Sequence, residues 1–250
     1  MGRGRRIYHP SCPLSRWVTF LQCRIRARSL TAMSTVVERQ DYPAALDGEL
    51  DPQLSRWLWL VKWILLIPHF VVLLFLWIAV VFVWLIALFA ILFTKRYPPG
   101  LFGFVLGVMR WSWRVLFYGY HALGTDRYPP FTLGRVDHYP AWLDVDYPGE
   151  LSRGLVLVKW WLLAIPHYII VGIFFGGAGV WNAGLVGILV LVAAVVLLFT
   201  ARYPTGIFEF VMGMNRWGLR VAAYALLMRD EYPPFRLDTG PMDARSGSAA

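Results

Sequence analysis

Residues Leu54–Phe70 read LSRWLWLVKWILLIPHF, and Leu151–Tyr168 read LSRGLVLVKWWLLAIPHY. A Trp-rich run with one lysine bends at a Pro-His pair and enters a long apolar segment, twice in one chain. Self-similarity at a fixed period means that one supersecondary unit is used repeatedly and that each copy faces the same burial problem. The problem is severe here. Phe70–Phe93 and Leu185–Phe199 contain no charged residue, and the chain is 58 % hydrophobic and 16 % charged, against about 45–50 % and about 25 % in ordinary soluble domains. Nothing else in 250 residues is large enough to cover such runs, so they belong in lipid.

Each copy opens on a polar aromatic-proline segment, DYPAALDGELD (Asp41–Asp51) and YPAWLDVDYPGE (Tyr139–Glu150). Proline forces its predecessor out of the α region, so these read as extended pieces, short strands at most, lying outside the bilayer. The apolar run Trp63–Phe93 has 31 residues, or roughly 46 Å as a helix, against a hydrocarbon core of about 30 Å. It reads as one tilted transmembrane helix, kinked at Pro68, from Lys62 at one interface to Lys95-Arg96 at the other. The second copy, Trp160–Phe199, is longer and carries an insertion, Gly176–Gly184 (GGAGVWNAG), expected to break it into a re-entrant or hairpin-like segment. TKRYPPG and TARYPTG follow. Then come second helices, Leu101–Leu123 and Ile207–Met228, each closed by a turn, DRYPPF or DEYPPF. The fold class expected is an all-α integral membrane protein of two tandem repeats, residues 41–137 and 138–238, with an arm at 1–40 and a disordered tail at 239–250.

Arg110 and Arg114 sit in the middle of one second helix, Arg216 and Arg220 in the middle of the other. On the insertion scale two central arginines cost about 5–7 kcal/mol and ten strong apolar residues return about 3–6, a sum near zero. Duplication breaks the tie. With two spans per repeat the acidic YP segments all fall on one side; with one span they face opposite compartments. Their shared polar character favours two spans, and the Lys/Arg bias of the loops then places the YP side and both termini in the cytoplasm of a multi-pass plasma (inner) membrane protein.

The candidate functional residues follow from these helices. Each arginine pair is spaced i, i+4 and so shares a face. It either contacts lipid phosphate or another anion or bonds neighbouring carbonyls and holds the repeats together. Glu209 lies on the face of Arg216 and is expected to pair with it. Lys62, Lys159, Trp63 and Trp160 read as interfacial anchors, snorkelling cations beside an aromatic belt. Pro68-His69 and Pro166-His167 read as helix kinks in which the imidazole bonds a carbonyl left free by proline. A pseudo-two-fold axis that brought the histidines together would make a metal or haem site, but no carboxylate lies in the adjacent apolar runs, so no metal and no cofactor is expected.

No phosphate loop, dinucleotide fingerprint, GxSxG elbow or HExxH occurs, which argues against an enzyme. The net charge of +9 is no sign of nucleic acid. Residues 1–32 hold seven arginines and no acid, leaving the rest nearly balanced, and a basic arm beside a bilayer is drawn to anionic headgroups. That arm lacks the apolar core of a secretory signal. It reads as a disordered arm, as a targeting segment, or as an extension upstream of a true start at Met33. Both cysteines, Cys12 and Cys23, lie in it.

The words YPAWLDVDYPGELSR, LVKWWLLAIPHY, LFTKRYPPGLFGFV, MRWSWRV and DRYPPF together resemble a bacterial membrane family, domain of unknown function 4389, over about residues 42–134 and again 139–238. The resemblance implies an integral membrane protein with no established activity or cofactor. The insertion Gly176–Gly184 departs from the pattern. The expected role is a scaffold or accessory subunit of a membrane complex or lipid assembly. Its expected partners are membrane lipids and either a membrane protein or further copies of itself. The alternative is a small transporter or channel using the Gly-rich break near Gly176 and the arginine faces.

Overall fold

The computed structural model describes residues 42–176 and 184–237. The arm 1–40, the tail 239–250 and the interior of the glycine insertion lie outside them. In chain order the elements are β1 (Ala44–Gly48), α1 (Trp59–Thr94), α2 (Pro99–Tyr118), β2 (Ala141–Val145), α3 (Arg153–Val158), a π-helical turn (Lys159–Leu163), α4 (Ile165–Phe175), α5 (Leu185–Thr200) and α6 (Thr205–Ala225).

The extended YP segments are strands, and they pair with each other. β1 and β2 are antiparallel, with Ala44 opposite Val145, Leu46 opposite Leu143 and Gly48 opposite Ala141. Leu46 thus faces its own repeat equivalent, so a pseudo-two-fold axis passes between the two leucines. Side chains alternate as a half-buried sheet requires: Ala44, Leu46, Ala141, Leu143 and Val145 are buried, while Asp47, Trp142 and Asp144 are half-exposed. Two strands alone are marginal in water. Here β2 packs on α2 and β1 on α6, so each strand is held by a helix of the same pseudosymmetric body.

The helices α2 and α6 form the middle layer, and helical periodicity assigns their faces. On α2, Trp111, Val115 and Tyr118 cluster with Leu66 and Leu73 of α1. Arg110 reaches the Leu143 carbonyl, the Trp113 indole donates to the Asp47 carbonyl, and Phe117 fills the space in front of Gly48. Those two sets lie on nearly opposite sides of the helix. The layers are therefore sheet, then α2 and α6, then the long apolar helices.

Those apolar helices run antiparallel. The Leu151 amide donates to the Lys95 carbonyl, Arg153 donates to the Phe93 carbonyl, and Trp160 packs edge-on against Trp84 at 5.1 Å. The second copy starts where the first ends and travels back along it. This corrects the expectation of two spans per repeat, which would have set the copies parallel. Among the described residues, α1 alone is by length and composition apolar enough to cross a membrane, with the bent pair Arg153–Leu163 and Ile165–Phe175 as a second candidate if its halves are taken together. Neither arginine-bearing helix is among them. The cause is local: their central arginines bond the strands and the closing turns, so those faces are used up by protein.

The copies differ most in the first helix. α1 is unbroken through Pro68 to Thr94. The second copy passes through the π-helical turn at Lys159–Leu163 and bends by 46° into α4, where Pro166 occupies a first-turn position. There proline costs nothing, because the first-turn amides lack helical partners anyway. The expected kink at a Pro-His pair is thus an actual break in one copy only. Gly176, with φ 88°, ends α4 in a conformation that favours glycine, which agrees with the expected interruption.

Candidate functional site

The charged residues picked out by sequence are drawn into the protein. Lys62, 1 % exposed, donates to the Thr125 carbonyl at 2.6 Å and pairs with Asp126 at 2.9 Å. Its ammonium lies 4.5 Å from the centre of the Tyr118 ring. Lys159, 0 % exposed, repeats the arrangement with the Arg229 carbonyl at 3.0 Å, Asp230 at 2.6 Å and the Tyr224 ring at 5.6 Å. The second oxygen of each aspartate accepts from the start of its own repeat, Ser55 N for Asp126 and Ser152 N for Asp230. A buried ammonium needs such a partner, since an uncompensated charge in a dry site costs several kcal/mol. The reading of these lysines as snorkelling anchors is therefore corrected: each staples the head of its long helix to the Asp of the closing turn. Of the anchor tryptophans, Trp63 does point outward, 55 % exposed, whereas Trp160 is half-buried on Trp84.

The arginines are exchanged between repeats. Arg110 of the first repeat donates through Nε to the Leu143 carbonyl at 3.1 Å and pairs with Asp144 at 2.7 Å, both on the strand of the second. Arg216 of the second repeat makes the same two contacts with Leu46, at 3.1 Å, and Asp47, at 2.6 Å, on the strand of the first. Its expected partner Glu209 is instead exposed on α6, because the reach of a guanidinium toward the sheet is fixed by the face that α6 turns to β1. Arg114 donates to the carbonyls of Gly134 and Thr132, and Arg220 to that of Arg236 at 2.9 Å. Of the two roles weighed for these residues, the geometry shows the carbonyl-bonding one.

Tyrosines that sequence reasoning passed over complete the exchange. The Tyr42 hydroxyl lies 3.3 Å from the Arg220 carbonyl and 3.2 Å from that of Glu231; Tyr139 does the same with Arg114 and Arg127. Burial is the first cause that raises both phenols above their ordinary value, so they remain neutral donors. The stability they confer is fully present below about pH 10 and is lost as pH rises beyond it. The recurrent YPA word was the available signal.

His69 and His167 do not meet. His69 stacks on Phe131 at 3.9 Å beside Tyr128 and Trp111, and its Nδ1 accepts from the Trp111 indole at 3.1 Å. His167 stacks on Phe235 at 4.5 Å beside Tyr232 and Trp217, and neither ring nitrogen has a hydrogen-bond partner among the described residues. Neither imidazole bonds a proline-freed carbonyl. In the first copy the Tyr128 hydroxyl donates to the Leu65 carbonyl, one residue beyond the Ile64 carbonyl that Pro68 leaves without its helical donor. The YPPF turn supplies a full aromatic cage, which outcompetes the helix carbonyls for the ring. Among the described residues no three His, Cys, Asp or Glu side chains converge as metal ligands.

One cavity lies on the pseudo-two-fold axis. It has a volume of about 230 Å³ and is lined by Leu46 and Leu143 from the strands, Ser112 and Gly218 from the middle helices, and Trp77 and Phe175 from the apolar layer. The Trp77 indole donates to Ser112 Oγ at 3.1 Å, and the Asn215 amide donates to the His121 and Val211 carbonyls, while Nδ1 of His121, also in the lining, is buried without a hydrogen-bond partner among the described residues. What remains is an apolar hollow suited to a hydrocarbon segment rather than to a charged solute.

The repeated clamps, cages and exchanged arginines fall on words present once in each half of the chain. Comparison with curated proteins and with solved structures finds no match. The chain belongs to the family described as domain of unknown function DUF4389, in two tandem copies that match residues 56–132 and 158–236.

Proposed function

We propose that this protein is a non-enzymatic integral membrane protein of the plasma membrane, a scaffold or accessory subunit of a membrane complex or lipid assembly, with its termini on the cytoplasmic side. The observation that carries the reading is the division of labour among its side chains. Lys62, Lys159, Arg110, Arg114, Arg216 and Arg220 all serve intramolecular contacts, while α1 offers lipid an almost wholly apolar surface, from Leu60 at 44 % to Phe93 at 72 % exposure. Soluble monomers rarely expose more than a few hundred Å² of contiguous apolar surface. Membrane lipids are the first partner of such a surface, and a membrane protein or another copy of the chain is the second.

The rival reading is a small transporter or channel. Its supporting observation is the axial cavity, walled by Phe175 beside the break at Gly176. The arginine faces lend it no anion path, since they are bonded to strands and turns. Purification in mild detergent, followed by reconstitution of the protein alone in liposomes, separates the two. A stable co-purifying partner without solute flux is the expected result; flux by the protein alone would overturn it.

A further inference from the structure

We infer that the protein inserts into one leaflet of a lipid bilayer without crossing it, with α1, α4 and α5 lying along the membrane and the β1–β2 sheet in water. The inference rests on the membrane reading above and specifies how that membrane is met. The partner is the bilayer surface, recognised through an apolar face with a cationic rim.

Topology carries the first part. One span per repeat would leave the YP segments of the two copies in opposite compartments, yet those segments are hydrogen-bonded to each other as β1 and β2. Two spans per repeat would set the first helices of the copies parallel, yet Leu151 on Lys95, Arg153 on Phe93 and Trp160 on Trp84 make them antiparallel. A two-fold axis perpendicular to both the sheet and the long helices satisfies both facts. Set along the membrane normal, it puts every equivalent polar group at the same depth.

Depth carries the second part. Trp77, midway along α1, and Leu46 and Leu143, at the centre of the sheet, line one cavity. The strands also run alongside the helix. The Tyr139 end of β2 is bonded to Arg114 and Arg127 near the head of α1, and Tyr147, beyond its other end, is bonded to Tyr97 just past the tail. If α1 stood across the bilayer, the sheet would lie beside it at mid-depth with Asp47, 28 % exposed, and Asp144, 31 % exposed, facing acyl chains. Ionised groups at that depth cost at least about 2.5–3.5 kcal/mol each on the insertion scale, most for a carboxylate or guanidinium open to lipid. Rotating the molecule so that α1 lies in the plane removes the conflict, because the sheet and the apolar helices are on opposite faces of α2 and α6.

The rim agrees with that placement. Arg56, Lys95, Arg96, Arg153 and Arg202 are all exposed at the ends of the long helices, with Trp57, Trp63 and Trp161 also exposed near those heads. Cations and indoles at the border of an apolar face are what anionic headgroups and the interfacial region attract. α1 is also about 54 Å long at 36 residues, far more than the roughly 30 Å hydrocarbon core, and in-plane insertion sets no such limit.

The test uses the full chain with Cys12 and Cys23 replaced by serine, carrying single Gln53→Cys, Gly100→Cys or Gly149→Cys substitutions. Gln53 precedes α1 and Gly100 follows it, and a side chain at Gly100 or Gly149 meets nothing within 4 Å. Sealed membranes of each orientation are treated with a membrane-impermeant maleimide. The expected result is labelling of all three from the same side, at least tenfold faster than from the other. Labelling of Gln53→Cys and Gly100→Cys from opposite sides would show that α1 crosses the bilayer and overturn the inference while leaving the membrane reading standing. Release of the protein from membranes by alkaline carbonate would instead sink the membrane reading, and this inference with it.

Discussion

The two copies of the Trp-rich segment share their clamps and differ in their backbones. In the first, α1 continues unbroken from Trp59 to Thr94; in the second, the same words pass through a π-helical turn, a 46° bend and the break at Gly176. Yet Lys62 and Lys159 find equivalent aspartates, equivalent carbonyls and equivalent tyrosine rings. Even the strained backbone recurs: Lys95 and Ala201, then Leu123 and Leu227, have φ between 51° and 64°. Polar contacts at the helix heads thus tolerate large changes in the apolar body, because they depend on a few residues and a turn rather than on the length of the helix between.

Removing a clamp is the most forceful way to break that comparison. Lys62→Met and Lys159→Met should each lower unfolding stability by about 3 kcal/mol, since breaking one side of a buried ion pair typically costs 3–5 and the aspartates are partly exposed. Thermal unfolding in detergent should show equal losses in the two copies, and a clear inequality would mean that the clamps are not equivalent. Next come the exchanged arginines. Arg110→Ala and Arg216→Ala should each cost about 2 kcal/mol, the scale of hydrogen bonds to charged groups. A double-mutant cycle between Arg110 and Asp144 should return a coupling of about 1 kcal/mol, and no coupling would remove Arg110 from the inter-repeat tie.

The prolines should separate the copies. Pro68 lies inside α1, where proline costs up to about 3 kcal/mol, so Pro68→Ala should raise stability by about 1 kcal/mol or more. Pro166→Ala, at a first-turn position, should change it by less than about 0.5 kcal/mol. Equal responses would contradict the difference between the backbones. The histidines provide the finest distinction. His69→Phe loses the bond from Trp111 and should cost about 1 kcal/mol more than His167→Phe, which removes two unpartnered buried nitrogens and should be neutral or stabilising.

Much of the local structure was readable in advance. The YP words announced extended segments because of what proline does to its predecessor, the charge-free runs announced apolar helices, and Gly176 announced a break. The destinations of the charged side chains were not readable. Lys62 beside tryptophans has the pattern of a snorkelling cation, and only the return of the DRYPPF turn to the helix head brings Asp126 to it. Glu209 was a sensible partner for Arg216 by helical spacing, but Asp47, 169 positions away along the chain, is nearer in space. The His69 cage was hidden for the same reason, since Phe131 and Tyr128 reach it from a turn beyond α2.

The sequence by itself determined the duplication, the family and the long charge-free runs, because periodicity and composition are properties of the chain that no packing can alter. Tertiary structure alone decided which way the copies face and what each charge meets. Orientation follows from the pairing of β1 with β2 and from the antiparallel course of the long helices, both of which join residues far apart in sequence. It was that pairing, rather than any count of apolar residues, that set the second copy antiparallel to the first.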